Sequence, residues 1–372
     1  MHILIAPDSF KGSLGAPEVA QALKEGFAVA LPQATFDLLP LGDGGEGTMA
    51  ILAQAKGFKK TEKQVTGPWG QDFMLTYYHK QETALLEMAD LVGLASIPQA
   101  KRKPLELQTR GLGELIRFLA SQGFKKLYLG LGGSATNDGG LGLAAGLGYE
   151  FFDQDQELLP AIGASLGKVA FISDQKVPAS IKNLQISVLT DVTNPLCGPK
   201  GATFVFAGQK GLSESQFREV DQAMENFYQM ANPAIFSVAG AGAGGGLAAA
   251  LVTFAGGQIV SGIDTCLDLL GFDQRVAVAD LVIVGEGRLD RQSLAGKTPI
   301  GVARRTPQGT PVIAICGSLA ADLPSFPLEN IVAAFPIIPD LGNEAATFAA
   351  SQQNLIRTAR NIGNLLHLGS IK

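Results

Sequence analysis

Histidine and cysteine are scarce in this chain, three of each in 372 residues. Cys197, Cys266 and Cys316 are widely separated, which excludes a disulfide framework or a Cys-x-x-Cys site and fits a reducing compartment. His2, His79 and His367 are equally isolated, so no Ser/His/Asp or Cys/His constellation can be assembled from them. A net charge of −5 gives no support for binding nucleic acids or acidic membranes. No basic segment followed by an apolar core opens the chain, so the expectation is a cytoplasmic protein without a secretory signal. Residues 226–263 carry no charge at all, which raises the question of a membrane span. Asn232, Pro233 and the glycines from Gly240 to Gly246 argue instead for a buried Gly/Ala-rich helix.

Glycine is in excess, with 46 residues, and it gathers where short apolar runs end. Six segments have this form: HILIAPDSFKGS, FDLLPLGDGGEGT, KLYLGLGGSATNDGG, ISVLTDVTNPLCG, LVIVGEGRLD and VIAICGS. Continuous Val/Ile/Leu runs mark buried parallel strands, and α/β proteins bind ligands in loops at the carboxyl ends of such strands. Glycine lets the backbone approach a ligand, and the side chains left in these loops are hard oxygen donors with a few cations. That selection suits Mg²⁺ and phosphate better than redox metals or thiol chemistry.

A chain of this length exceeds what one core usually serves, so two domains are expected. Strands at residues 1–6 and 36–40, with helices at 16–30 and 47–55, give βαβα grammar and hence a parallel sheet. Ser13 reads as the cap of the first helix, with Pro17 in its first turn. The grammar returns in strands at 281–284, 311–315 and 331–335, closed by a long amphipathic helix over 343–366. Between them lie a hairpin (73–78 with 83–88), strands at 125–129, 149–152 and 186–189, and helices over 105–122 and 213–230. The expected fold is α/β: an open parallel-sheet, Rossmann-like domain formed by both chain ends (1–65 and 275–372), with an inserted mixed α/β domain (66–274).

Each loop has a functional reading and a plainer one. Asp8, Ser9 and Lys11 follow the first strand, where Lys11 can meet a phosphate near a helix start; a solvated connection explains the same letters. Asp43 and Glu46 are packed among glycines, and carboxylates so close repel without a cation, although an acidic helix N-terminus is the alternative. Ser134, Thr136 and Asn137, with Asp138, either orient a hydroxylated substrate or cap the helix that starts near Gly140. Asp191 and Asn194 precede Pro195, and Asn-Pro alone enforces a turn. Cys197 reads as a small filler, since nothing nearby activates it. Glu286, Arg288, Asp290 and Lys297 suit metal plus phosphate, or else a surface ion-pair loop. Gly296-Lys297-Thr298 lacks the upstream glycine and strand of a Walker A site. Gly130-x-Gly132-x-x-Ala135 and Gly240-x-Gly242-x-x-Gly245 match a dinucleotide fingerprint, a match that comes easily in a glycine-rich chain.

Taken in order, IAPDSFKGSL, GDGGEGT, GLGGSATNDGG, DVTNPLCGPKGA, GAGAGGGL, VIVGEGRLD and GKTPIGVA closely resemble the glycerate kinase family across nearly the whole chain. The resemblance implies a two-domain α/β kinase that uses Mg-ATP to phosphorylate D-glycerate in a cleft between its domains, most often at the 2-hydroxyl. Roles are assigned here on physical grounds. Lys11 meets a phosphate, and Arg288 steadies the γ-phosphoryl group or the glycerate carboxylate. Asp43, Glu46, Glu286 and Asp290 are the Mg²⁺ candidates. Asp191 accepts the hydroxyl proton, with Asp8 as its rival or as a further metal ligand. Ser9, Ser134, Thr136, Asn137, Asn194 and Lys297 bind substrate or phosphate. Three other readings stay open: phosphorylation at the 3-hydroxyl, an NAD-dependent hydroxy-acid oxidoreductase, and a sugar-acid sensor. The partner expected is D-glycerate alone, with neither nucleic acid nor membrane, and the oligomeric state is open.

Overall fold

The computed structural model describes residues 1–291, 293–338 and 343–369. The chain opens with β1 (His2–Ile5), α1 (Ala16–Ala30) and β2 (Thr35–Leu38). There follow α2 (Thr48–Lys56), β3 (Lys59–Thr66), β4 (Asp72–Lys80), β5 (Thr83–Glu87), α3 (Ala89–Val92), α4 (Arg110–Ser121), β6 (Lys126–Gly130) and α5 (Leu141–Leu147). A short hairpin of β7 (Glu150–Phe152) and β8 (Phe171–Ser173) leads to β9 (Gln185–Leu189), α6 (Ala202–Phe206), α7 (Phe217–Ala231), α8 (Leu247–Ala255) and β10 (Gln258–Val260). The last part holds α9 (Gly262–Leu270), α10 (Phe272–Val276), β11 (Leu281–Val284), β12 (Arg288–Leu289) and α11 (Thr298–Arg305). It ends in β13 (Val312–Cys316), β14 (Ser318–Leu319), β15 (Ile331–Pro336), α12 (Glu344–Ala349) and α13 (Ser351–Gly369).

Two compact units result, residues 1–43 with 263–372, and residues 44–262. The first carries a five-stranded sheet in the order β15-β13-β11-β1-β2, with every neighbouring pair parallel. Its middle strand β11, LVIV, is buried at every position, as a strand covered on both faces must be. Helices α1 and α13 pack through Val19, Leu23 and Phe27 with Leu355, Ala359 and Ile362 in one apolar cluster. The second unit carries a six-stranded sheet, β10-β9-β6-β5-β4-β3, parallel from β10 to β5 and antiparallel from β5 to β3. An α/β fold with a mixed inserted part is what the sequence pattern predicts.

The division falls at 43/44 and 262/263, not at the expected 65/66 and 274/275. Residues 44–65 go with the second unit because β3 pairs along its whole length with β4. Its sequence, KKTEKQVT, is charged because it forms the sheet edge, and that hid it from an apolar-run reading. Residues 263–274 go with the first unit: Arg305 grips Asp273 at 2.8 Å, and the neighbouring Arg275 grips Asp37 at 2.8 Å.

Other details also differ. Gly15, not Ser13, caps α1, and the Ser13 hydroxyl donates instead to the Phe348 carbonyl at 3.1 Å. The closing helix is broken at Ala350 into α12 and α13, with Asn343 capping the first piece through Ala346 N–H at 2.8 Å. Helix 105–122 begins only at Arg110, and helix 213–230 only at Phe217, after a capping box on Ser213. The charge-free stretch folds into turns and the nine-residue α8, and among the described residues no helix is long and apolar enough to cross a membrane.

The first sheet holds the loops at its strand ends only if its centre is packed. Ile283, 0% exposed on β11, should therefore cost about 2–5 kcal/mol when cut to alanine, measured by urea unfolding. A loss under about 1 kcal/mol would mean that the strand is not part of a tight core.

Candidate active site

In the first unit, strands β11, β13 and β15 run off one side of β1 and β2 lies on the other, so the strand order reverses between β1 and β11. Loops splay apart at such a point and leave a crevice at the carboxyl ends of the strands. Asp8 follows β1 and Glu286 follows β11, and the Asp8 amide donates to the Gly285 carbonyl at 2.8 Å. The Asp8 carboxylate accepts from its neighbour Ser9 N–H at 2.6 Å and from the Thr298 hydroxyl at 2.6 Å. Lys11 is exposed, with its backbone beside Gly287. Arg288 is also exposed, its Nε 3.9 Å from Asp290. Ser293 ties that turn by donating from its amide to Asp290 Oδ1 at 3.2 Å.

The acids here repel one another. Burial, then the charge of Asp43, pushes the Asp8 carboxyl up to about 6, against the pull of Thr298 and Ser9. Glu286, 8% exposed, is pushed up to about 7 by burial, with Ser293 and Lys297 opposing and Asp8 and Asp290 adding to the rise. Its Oε1 is buried without a hydrogen-bond partner among the described residues. Among the described residues no three His, Cys, Asp or Glu side chains form a ready cation cage. Mg²⁺ does not need one, since it keeps several waters and binds through one or two carboxylates plus substrate phosphates. An orphaned carboxylate oxygen among mutually repelling acids, with Lys297 alongside, fits that requirement.

In the second unit the glycine-rich loops pack on one another. Segment 44–47 lies over the ends of β6 and β9: a Cβ on Gly132 would fall 2.4 Å from Gly45 Cα, and Gly44 N–H bonds the Thr48 hydroxyl at 3.2 Å. Glu87, ending β5, holds this segment by accepting from Gly47 N–H at 2.9 Å and Met49 N–H at 2.7 Å. Burial pushes its carboxyl up to about 7 despite those two donors. Asp191, after β9, accepts from Gly262 N–H at 2.9 Å and the Ser261 hydroxyl at 3.2 Å, which fixes its orientation.

The structure thus gathers Asp8, Ser9, Asp43, Glu286, Asp290 and Lys297, with Lys11 and Arg288 on the same loops. Glu46 lies in the other unit, exposed, where its charge acts on Glu87 and Asp90. Ser134 is nearly buried next to exposed Gly133. Thr136 and Asn137, expected to fix a ligand, are both fully buried: the Thr136 hydroxyl donates to the Pro104 carbonyl at 3.4 Å and the Asn137 amide nitrogen to the Thr203 hydroxyl at 3.1 Å, while Asn137 Oδ1 has no hydrogen-bond partner among the described residues. Asn194 closes its own turn, donating to the Lys200 carbonyl at 2.7 Å. Cys197 is a partly buried free thiol that burial pushes upward, as a filler requires. The Gly240–Gly246 segment follows a 3-10 turn rather than a strand, which removes the dinucleotide reading there.

Sequence reasoning missed Glu87, Thr298 and Lys210. Glu87 was visible as an acid at a strand end but had no glycine beside it. Thr298 was set aside with the absent Walker motif, and nothing in GQKG marks Lys210 as buried. A cavity of about 750 Å³ lies elsewhere, lined by Tyr149, Lys182 and Gln258 near the amino-terminal ends of β9 and β10, away from these loops.

Comparison with known proteins gives a consistent result. The model of the Glycerate kinase family matches residues 3–367. A glycerate kinase of Neisseria meningitidis serogroup B is 53% identical over 371 residues, covering 100% of both chains. A glycerate 2-kinase of Escherichia coli K12 is 38% identical over 376 residues, covering 99% of each. A crystal structure of a protein assigned as glycerate kinase 2 from Salmonella typhimurium LT2 has a TM-score of 0.83 at 37% identity, covering 100% of this chain and 99% of that one.

The raised Glu286 carboxyl has a stability consequence. Its contribution is fully present below the ordinary value of 4.5 and is lost as pH rises through about 7. In metal-free buffer, Glu286→Gln should flatten the fall in unfolding free energy over that window by about 1–3 kcal/mol. Parallel pH profiles for the two proteins in chemical denaturation would contradict this.

Proposed function

The chain belongs to the glycerate kinase family, and on that premise we propose that it transfers the γ-phosphoryl group of ATP to the 2-hydroxyl of D-glycerate. The observation that carries the reading is the set of carboxylates at the strand-order reversal, with Lys297 among them and Lys11 and Arg288 on the same loops. Phosphoryl transfer asks a protein mainly for positioning and charge neutralisation, and these loops supply both.

In the proposed reaction the 2-hydroxyl oxygen attacks the γ-phosphorus and the bond to the ADP oxygen breaks. The hydroxyl proton passes to Asp191, whose Oδ1 is steered by Gly262 and Ser261. Lys11 and Arg288 stabilise the charge that spreads over the γ-phosphoryl oxygens. Lys297 and Ser9 hold phosphate oxygens. Asp8, Asp43, Glu286 and Asp290 are the residues that would hold Mg²⁺, which when bound offsets the charge of the nucleotide phosphates. Free cysteines suit a reducing, cytoplasmic setting.

Incubation with Mg-ATP and D-glycerate, followed by phosphorus NMR, decides the regiochemistry. The expected product is 2-phospho-D-glycerate with one ADP per turnover. The 3-phospho isomer would overturn the choice of hydroxyl, and no ADP at all would overturn the reaction. Lys11→Ala should lower kcat on the order of hundredfold in a coupled ADP assay. Near-normal turnover would remove Lys11 from the site.

A further inference from the structure

Lys210 is 2% exposed, and burying an ammonium is costly unless every gain is realised. Its Nζ donates to the Ser134 hydroxyl oxygen at 2.7 Å and to the Thr136 carbonyl at 2.7 Å. Burial pushes the Lys210 ammonium down to about 7, and Asp138, 0% exposed, pulls the other way; the oxygens of Asp138 are occupied by the Thr109 hydroxyl at 2.7 Å and the Gly140 amide at 3.0 Å. Gly245 makes room for the arrangement. It sits at φ +71°, and a Cβ there would fall 2.3 Å from the Thr136 oxygen and 3.1 Å from Lys210 Nζ. The glycine-rich segment first read as a dinucleotide fingerprint is therefore the wall behind this ammonium.

Ser134 is the most exposed member of the cluster. It is 7% exposed, next to exposed Gly133, and the bond from Lys210 uses an acceptor lone pair of its hydroxyl. No acceptor for the Ser134 proton is found among the described residues. A hydroxyl held this way can still donate, and a cation behind the oxygen polarises the O–H bond so that it donates more strongly.

We infer that Lys210 is a positioning residue: by donating to Ser134 it turns that hydroxyl into a fixed donor toward an anionic oxygen of a bound substrate. The inference rests on the kinase reading and names the part of the substrate that Ser134 meets. Two sources share the chemistry, the carboxylate of the acceptor acid and a phosphate of the nucleotide. Thr136 and Asn137 serve in this arrangement as the buried frame that keeps Ser134 in place.

The test compares wild type, Ser134→Ala, Lys210→Met and the double variant. Initial rates are taken with D-glycerate varied at saturating Mg-ATP, and with Mg-ATP varied at saturating D-glycerate. Each single change should lower kcat/KM for one substrate by roughly ten- to a hundredfold, as loss of a charge-assisted hydrogen bond does. The double variant should be no worse than Ser134→Ala, because Lys210 acts through Ser134. A shift confined to glycerate assigns the carboxylate, and one confined to ATP assigns a phosphate. Multiplying effects, or an unchanged kcat/KM for both substrates in Ser134→Ala, would overturn the inference. Ser134→Ala removes one oxygen, so it decides the matter even if Lys210→Met does not fold. Should wild type fail to phosphorylate glycerate, the proposed function falls separately. The rise in Tm on adding ATP or D-glycerate then carries the comparison: a smaller rise in Ser134→Ala supports the inference, and an equal one sinks it.

Discussion

The hydrogen bond from the Asp8 amide to the Gly285 carbonyl joins the first residues past β1 to the first past β11, at the point where the sheet reverses its strand order. Everything chemical in the first unit depends on that juncture. Past His2, β1 is apolar and buried like the whole of β11, and such strands can lie side by side only if both faces are covered, so they present no polar groups until they end. Where they end, the chain turns at once to Asp, Glu, Lys and Arg. The apolar core thus decides not only where the sheet is but where the charges must gather.

That gathering is electrostatically uncomfortable. Asp8 and Glu286 are each pushed up by burial and by neighbouring acids, and a buried oxygen of Glu286 has no partner among the described residues. A folded protein keeps such a group when something it binds relieves the strain. Lys297 offsets part of the charge on Glu286. A divalent cation with nucleotide phosphates would offset the rest, which is how the proposed phosphoryl transfer would use these acids.

Much of this was legible in the sequence. The alternation of apolar run and oxygen-rich loop located β1, β9, β11 and β13 and the residues at their carboxyl ends, because a doubly covered strand leaves an unmistakable pattern. The helix over 16–30 matched to the residue. What was not legible depended on partners distant in sequence. Strand β3 reads as polar because it is an edge, and the unit boundary moved with it. Ser13 looked like a cap until Phe348, far away in the chain, claimed its hydroxyl. The roles of Thr136 and Asn137 turned on burial, which their polar letters conceal. Glycine misled in one respect: many glycines of the second unit admit another loop rather than a ligand, as Gly132 admits Gly45.

The central claim is that carboxylates at the β1–β11 reversal hold the cation that accompanies the nucleotide. Phosphorylation of D-glycerate measured against Mg²⁺ concentration, at fixed ATP, tests it in wild type and in the Asp8→Asn/Glu286→Gln double variant. The account predicts a kcat lower by on the order of a hundredfold or more and a Mg²⁺ midpoint moved to higher concentration, with the fold retained. A variant with wild-type kcat and an unmoved midpoint would contradict it.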